Sequence, residues 1–274
     1  MSRKWKLLLR VVVYGFVLLA MSSCMINKAM FPVPPVSYAE GDEGLVFLRG
    51  VARPERRIPA FWFPNDDAGR VVIHFHGNGE DIGYRLDFGE WLHGAGFAVL
   101  LVEYPGYGLA GIEDKRGNIR SESPTEAGIF DAAEAAFRFV TGEGGFAAGD
   151  VVAFGSSLGS GPATELAVRH PGIAGLIIEC GFLSAFRVVT SAKISPFDRF
   201  DNASRIKRVT CRLLVIHGTD DDVVPFWHGE KLYELAGKAK SKEFVPVRGG
   251  GHLDWFGPDS VRVNEKIVEF ANAD

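Results

Sequence analysis

The 274-residue sequence predicts an α/β protein: a mainly parallel sheet with helices on both faces. Three observations carry this. Mainly apolar runs of strand length (Arg70–Gly77, Phe97–Val102, Val151–Phe154, Ile173–Cys180, Cys211–Gly218) alternate with segments of helical spacing, as buried parallel strands and their crossovers do. Glycine-rich or acidic turns stand at the ends of these runs, where an open α/β sheet places its ligands. Apolar residues make up 47% and charged residues 23%, and no linker divides the chain, so residues 31–274 form one domain.

Residues 1–30 differ from the rest. Arg3, Lys4, Lys6 and Arg10 precede an apolar run from Val11 to Met21, and Ser22-Ser23-Cys24 follows. A basic region, a short apolar region and small residues describe an export signal. The A-M-S-S-C stretch resembles a bacterial lipobox, which implies cleavage before Cys24 and acylation of its thiol. The alternative is an uncleaved signal anchor, although the run is short against the roughly 20 residues that cross a bilayer. In both cases the basic residues stay in the cytoplasm and the domain is held at the membrane on the non-cytoplasmic side.

Phe31-Pro-Val-Pro-Pro then reads as an extended tether. Leu45–Arg49 and Ile58–Phe63 read as edge strands, and Arg70-Val-Val-Ile-His-Phe-His-Gly as a buried strand ended by the turn Gly77-Asn78-Gly79. Tyr84–His93 has helical spacing and stops at Gly94. Ser123-Pro-Thr-Glu126 matches a capping box with proline at the first helical position, opening a helix to about Val140. Lys242–Val247 is the last strand, and a C-terminal helix starts near Asp259. Between Gly181 and Thr210 the connection is longer than usual; residues 182–210 are expected to form a reduced cap, the alternative being an ordinary crossover helix with a long loop.

A formal charge of −4 and no long basic run give no electrostatic footprint for nucleic acid. No motif calls for a cofactor, and nothing in the chain signals an oligomeric state. Cys180 ends one strand and Cys211 starts the next. If those strands are parallel neighbours, the thiols sit at opposite ends of the sheet, about 20 Å apart at about 3.3 Å per residue. A disulfide needs Cα atoms within about 7 Å, so both are expected to be buried and unpaired.

Chemistry is concentrated in Gly155-Ser-Ser157-Leu-Gly159, which follows a buried strand and precedes a helix, the context of a G-x-S-x-G nucleophile elbow. A serine needs a base, and the base needs an orienting acid. On such a fold both follow the nucleophile in the order acid, histidine. His217, His228 and His252 qualify by order. His217 ends a strand and reads as structural, and His228 lies on an apparent helix. His252, in the loop Gly249-Gly-Gly-His252, can swing over the sheet end and is the preferred base. The acid lies in Asp220-Asp221-Asp222 after a strand. The pattern G-x-x-D-x-x-V-P singles out Asp221, leaving its neighbours as solvated turn residues. Two N–H groups must hold the oxyanion: Leu158, after the nucleophile, and Asn78, in His76-Gly-Asn78-Gly. His74 and His76 have no obvious Cys or carboxylate cluster beside them, and no metal site is expected.

H-F-H-G-N-G, E-Y-P-G-Y-G, G-S-S-L-G-S-G-P-A, H-G-T-D-D-D-V-V-P and G-G-G-H occur in that order and resemble the α/β-hydrolase superfamily. Their spacing is similar to its small-capped branch, which includes membrane-attached acyl-protein thioesterases and many uncharacterised bacterial hydrolases. The resemblance spans Val71 to the C-terminus. It implies a mainly parallel eight-stranded sheet, the triad Ser157, Asp221 and His252, and no cofactor. Two residues depart from the family pattern: Glu103 stands for the usual aspartate of the Y-P-G-Y-G loop, and Ser160 for a second glycine beyond the elbow.

The expected activity is hydrolysis of a carboxylic ester or thioester through an acyl-enzyme on Ser157. Its substrates would include lipid-borne ones, reached through the membrane-attached N-terminus. A serine peptidase or amidase is the alternative reaction, and a catalytically silent scaffold lipoprotein the alternative class.

Overall fold

The computed structural model describes residues 30–190, 198–253 and 258–273. The export signal and Cys24 therefore lie outside the described residues, as do residues 191–197 of the expected cap.

The strands are β1 (Leu45–Arg49), β2 (Arg56–Phe63), β3 (Val71–Phe75), β4 (Ala98–Val102), β5 (Gly111–Glu113), β6 (Ile119–Arg120), β7 (Val151–Ser156), β8 (Gly175–Glu179), β9 (Arg212–Gly218) and β10 (Lys242–Val247). The helices are α1 (Leu86–Gly94), α2 (Glu126–Thr141), α3 (Ser160–Arg169), α4 (Ala185–Thr190), α5 (Asn202–Arg205), α6 (Trp227–Leu235) and α7 (Pro258–Asn272).

All ten strands join one sheet in the order β10-β9-β8-β7-β3-β4-β2-β5-β6, with β1 paired to β2. From β4 to β10 every pairing is parallel, while β1, β2, β5 and β6 add an antiparallel edge. The mainly parallel sheet is as expected, but among the described residues it has ten strands rather than eight. The extra pair is the small β5–β6 hairpin; its strands are too short to show an alternating apolar pattern.

Alternation along the parallel strands explains the layers. Val71, Ile73 and Phe75 of β3, with Val151 and Ala153 of β7, pack on one face against Ile129, Ala132 and Ala136 of α2 and Ala163 and Leu166 of α3. Val72, Val152 and Phe154 face the other way, against Leu92 of α1 and Val263, Ile267 and Phe270 of α7. Each Val, Leu, Ile or Phe side chain so buried contributes roughly 1.5–3 kcal/mol.

The α2 cap differs from expectation. Thr125, not Ser123, is the N-cap, its hydroxyl accepting the Gly128 N–H at 3.0 Å. Glu126 is then the first helical residue and too early to close a capping box. Its carboxylate instead accepts the Phe200 N–H at 2.8 Å and pairs with Arg205 at 3.1 Å. The box failed as a signal because the threonine two places on competes for the same role.

Strand order sets the site. Phe75 of β3 is paired with Gly155 of β7, so the turns that follow these strands are neighbours, where the chain order reverses across the sheet. The loops after β9 and β10 open at the same carboxyl end.

Candidate active site

The elbow rests on two glycines. A Cβ on Gly159 would overlap the Phe75 carbonyl, and one on Gly155 would overlap the Gly159 carbonyl, so helix α3 can approach the sheet only without them. The turn drives Ser157 to φ +51°, a left-handed conformation that costs a non-glycine residue of order 1–3 kcal/mol. The side chain gains from this its position at the sheet's end, where it is 8% exposed.

Three loops bring the partners together. Ser157 Oγ lies 2.9 Å from His252 Nε2, and His252 Nδ1 lies 2.8 Å from Asp221 Oδ2. Since Nδ1 faces a carboxylate it carries the hydrogen, which leaves Nε2 free to accept from the serine. Asp221 is fixed in turn: Oδ1 accepts the N–H groups of Val223 at 2.9 Å and Val224 at 2.7 Å. These are the backbone bonds that a turn-forming aspartate makes, and they fall to Asp221 while Asp220 and Asp222 stay exposed.

His217 is a partner that the sequence did not assign. Its Nε2 donates to the Val224 carbonyl at 2.8 Å and lies 3.3 Å from Asp221 Oδ2. Burial opposes ionisation of Asp221, but the hydrogen bonds from His217, His252 and the Val224 N–H outweigh it. Together they hold the carboxyl well below the usual carboxylate range. The acid is therefore a fixed negative charge beneath the imidazole.

His228, the rejected candidate, points elsewhere: its Nδ1 accepts the Leu183 N–H at 3.1 Å. His74 is buried with Nε2 3.2 Å from Ser156 Oγ. Burial, then the nearby Arg85 and His76 charges, push its pKa well below the ordinary histidine value. His76 has one carboxylate beside it, Glu103, which reaches it from the end of β4.

Asn78 and Leu158 border the same cavity as Ser157. Leu158 stands in the first turn after β7, where N–H groups lack helical partners. The Asn78 side chain is tied on both sides, donating to the Met30 carbonyl at 2.7 Å and accepting from Tyr107 Oη at 2.7 Å. Neither tie was foreseen, since each links segments remote in sequence.

The cavity has a volume of about 430 Å³, and its walls are apolar: Met30, Phe182, Phe186, Val188, Val223 and Val224. That size is within the range of sites for small molecules. Among the described residues, Cys180, Asp221 and His252 hold potential metal-ligand atoms within 4.8 Å of one another. Two of these are committed to the serine, and burial pushes the Cys180 thiol far up, keeping it protonated and a poor ligand. Cys180 and Cys211 are both buried and free.

Comparisons with known proteins agree with this architecture. The family model described as "Serine aminopeptidase, S33" matches residues 66–200, and that of the prolyl oligopeptidase family matches residues 188–273. The chain is 32% identical over 260 residues to the alpha/beta hydrolase domain-containing protein aho-3 of Caenorhabditis elegans, covering 85% of this chain and 74% of that one. It is 33% identical over 208 residues to an uncharacterized protein of Mycobacterium tuberculosis, covering 72% and 69%. Among solved structures, the Pyrococcus furiosus esterase Pf2001 superposes with a TM-score of 0.69 at 14% identity, covering 87% of this chain and 97% of that one, a likeness of fold.

Proposed function

Since the chain belongs to the α/β-hydrolase family, we propose that it is a serine hydrolase cleaving carboxylic esters or thioesters through an acyl-enzyme on Ser157. The observation that carries this is the line from Asp221 Oδ2 through His252 to Ser157 Oγ, ending on a strained elbow at an apolar cavity.

In the proposed reaction His252 Nε2 takes the hydroxyl proton as Ser157 Oγ attacks the acyl carbon. Charge on the carbonyl oxygen is met by the Leu158 and Asn78 N–H groups. His252 returns the proton to the leaving alcohol or thiol, and the acyl group stays on Ser157. Water, deprotonated by the same nitrogen, then frees the acid. Asp221 holds the imidazole tautomer and offsets its positive charge during both halves.

Esters are favoured over peptides by the cavity. None of its described lining residues is acidic, whereas an aminopeptidase must receive a cationic amino terminus. The cavity walls match a hydrocarbon acyl chain instead, and Phe182, Phe186 and Val188 supply part of them from the segment, residues 182–210, expected to form the reduced cap. Met30, which lines the cavity, is six residues beyond Cys24, a reach of at most about 20 Å. Attachment through a lipidated Cys24 or a signal anchor would thus hold the cavity close to the bilayer, on the non-cytoplasmic side, where lipid-borne substrates lie. Among the described residues no helix is long and apolar enough to cross a membrane.

The test is labelling by a fluorophosphonate of residues 25–274 and of the same chain carrying Ser157→Ala. Labelling of the parent alone, followed by turnover of p-nitrophenyl esters and acyl thioesters but not anilides, is the expected result. A folded parent that does not label would favour a silent scaffold, and faster turnover of anilides would favour a peptidase.

A further inference from the structure

The motifs H-F-H-G-N-G and E-Y-P-G-Y-G take no direct part in the serine relay, yet they meet beside it. They follow β3 and β4, which pair in parallel with Phe75 opposite Val102, so His76 and Glu103 emerge side by side. Both side chains are wholly buried, and His76 Nε2 lies 2.9 Å from Glu103 Oε1.

The protons follow from the remaining partners. Glu103 Oε1 also accepts the Tyr104 N–H at 2.9 Å; Oε2 accepts the Tyr38 hydroxyl at 3.0 Å and the Ile82 N–H at 3.4 Å. Tyr38 Oη accepts the Leu109 N–H at 3.1 Å, so its own hydrogen is directed at Glu103. Burial and the Glu103 charge push the Tyr38 phenol up, and it stays protonated. A carboxyl facing donors on both oxygens is a carboxylate, so His76 Nε2 donates to it. His76 Nδ1 lies 2.8 Å from the Gly77 carbonyl, which can only accept, so Nδ1 donates as well. Both ring nitrogens of His76 thus face acceptors, as those of an imidazolium would, and the ring is stacked on Tyr104 with centroids 4.0 Å apart and paired with Glu103. A buried charge is tolerated only when paired and hydrogen-bonded, and every polar atom of this pair is.

The Gly77 carbonyl and the Asn78 N–H are the two ends of one planar trans peptide and point in opposite directions. A charged donor on the carbonyl turns the N–H away from the ring and polarises it, since hydrogen bonds in series strengthen one another. Asn78 borders the cavity beside Ser157, and its side chain is tied by Tyr107 and Met30.

We propose that Glu103 and His76 form a second, charged relay that aims and strengthens the Asn78 N–H as an oxyanion donor, making both of them positioning residues. Its catalytic consequence rests on the proposed serine chemistry; its protonation pattern does not.

The experiment has two arms. In ¹⁵N-labelled parent protein, both ring nitrogens of His76 should carry slowly exchanging protons at neutral pH, and Glu103→Gln should leave one. In kinetics, Glu103→Gln should lower kcat about 10- to 100-fold with KM within about twofold, less than the 10²–10³ lost with a whole donor. Affinity for an alkyl trifluoromethyl ketone, whose adduct carries the oxyanion, should fall by the same factor. Glu103→Asp keeps the charge and should recover most of both. A merely structural role would lower thermal stability without moving ketone affinity in step with kcat. A singly protonated His76 in the parent overturns the proposal, as does a folded Glu103→Gln enzyme with kcat and ketone affinity within twofold of the parent. If Glu103→Gln does not fold, the parent spectrum and Glu103→Asp decide. Two protonated nitrogens in a parent that hydrolyses no ester uphold the charged relay and overturn the proposed reaction instead.

Discussion

His252 Nε2 stands 2.9 Å from Ser157 Oγ although 95 residues separate them in the chain. Two strands, β8 and β9, lie between the strands that carry their loops, and Asp221, after β9, spans the gap. Its two oxygens are divided, one on backbone N–H groups and one on His252 Nδ1. Asparagine at 221 keeps the shape but replaces one oxygen with a donor, so whichever way the amide turns it conflicts with Nδ1–H or with the turn. Asp221→Asn should lower kcat by about 10³- to 10⁴-fold with little change in KM, as measured by steady-state hydrolysis of p-nitrophenyl esters. A loss under tenfold would remove Asp221 from the proposed relay.

The elbow stores strain for the sake of position. Ser157 at φ +51° is the conformation that glycine adopts without penalty. Ser157→Gly should therefore abolish ester turnover and yet stabilise the fold by about 1 kcal/mol, seen as a higher midpoint in urea with an unchanged slope. By contrast, Gly159→Ala forces a methyl onto the Phe75 carbonyl and should destabilise by about 1–3 kcal/mol. Equal stability of Ser157→Gly and the parent would mean that the turn is not strained.

Acid should weaken the fold through buried neutral histidines. Burial, and then the neighbouring His217, push His228 down to about 4 from its ordinary 6.5. The unfolded chain takes up a proton below pH 6.5 that the folded chain refuses until about pH 4, so unfolding gains protons across this window. The contribution of a neutral His228 is full above about pH 6.5 and is lost as pH falls toward 4, at up to about 1.4 kcal/mol per pH unit. His74 acts with the same sign. His228→Asn, whose Oδ1 can still accept the Leu183 N–H, should flatten the stability–pH curve between pH 6.5 and 4. Parallel curves for variant and parent would show that His228 does not titrate this way.

What was legible in the sequence is what short range encodes. The elbow announces itself because strand, turn and helix are contiguous, and the order of motifs along the chain gave Asp221 and His252. The contacts that tune them are different in kind. Tyr107 on Asn78, the Met30 carbonyl on Asn78 and Glu103 on His76 each join groups remote in the chain. No periodicity marks such pairs. The misplaced cap of α2 had a local cause, two hydroxyl residues two positions apart, and the β5–β6 hairpin is too short to carry a pattern. The glutamate at 103 read as a departure, yet its two oxygens meet Tyr38, Ile82, Tyr104 and His76 at once.

The apolar cavity sets the expected substrate range. Each acyl methylene moved from water to the walls formed by Phe182, Phe186, Val188 and Val224 contributes about 0.8 kcal/mol, or roughly fourfold in kcat/KM, until the space is filled. A plot of log kcat/KM against chain length should thus rise and then level. Ala185 lines the same cavity from helix α4, so Ala185→Trp should move the plateau to shorter chains. It should cost long-chain esters at least tenfold while leaving the acetyl ester within about twofold. The contrast is informative because Ala185 touches none of the reacting groups. A loss equal at every chain length would mean that the acyl chain does not enter this cavity and that Ala185→Trp acts by disturbing the cap.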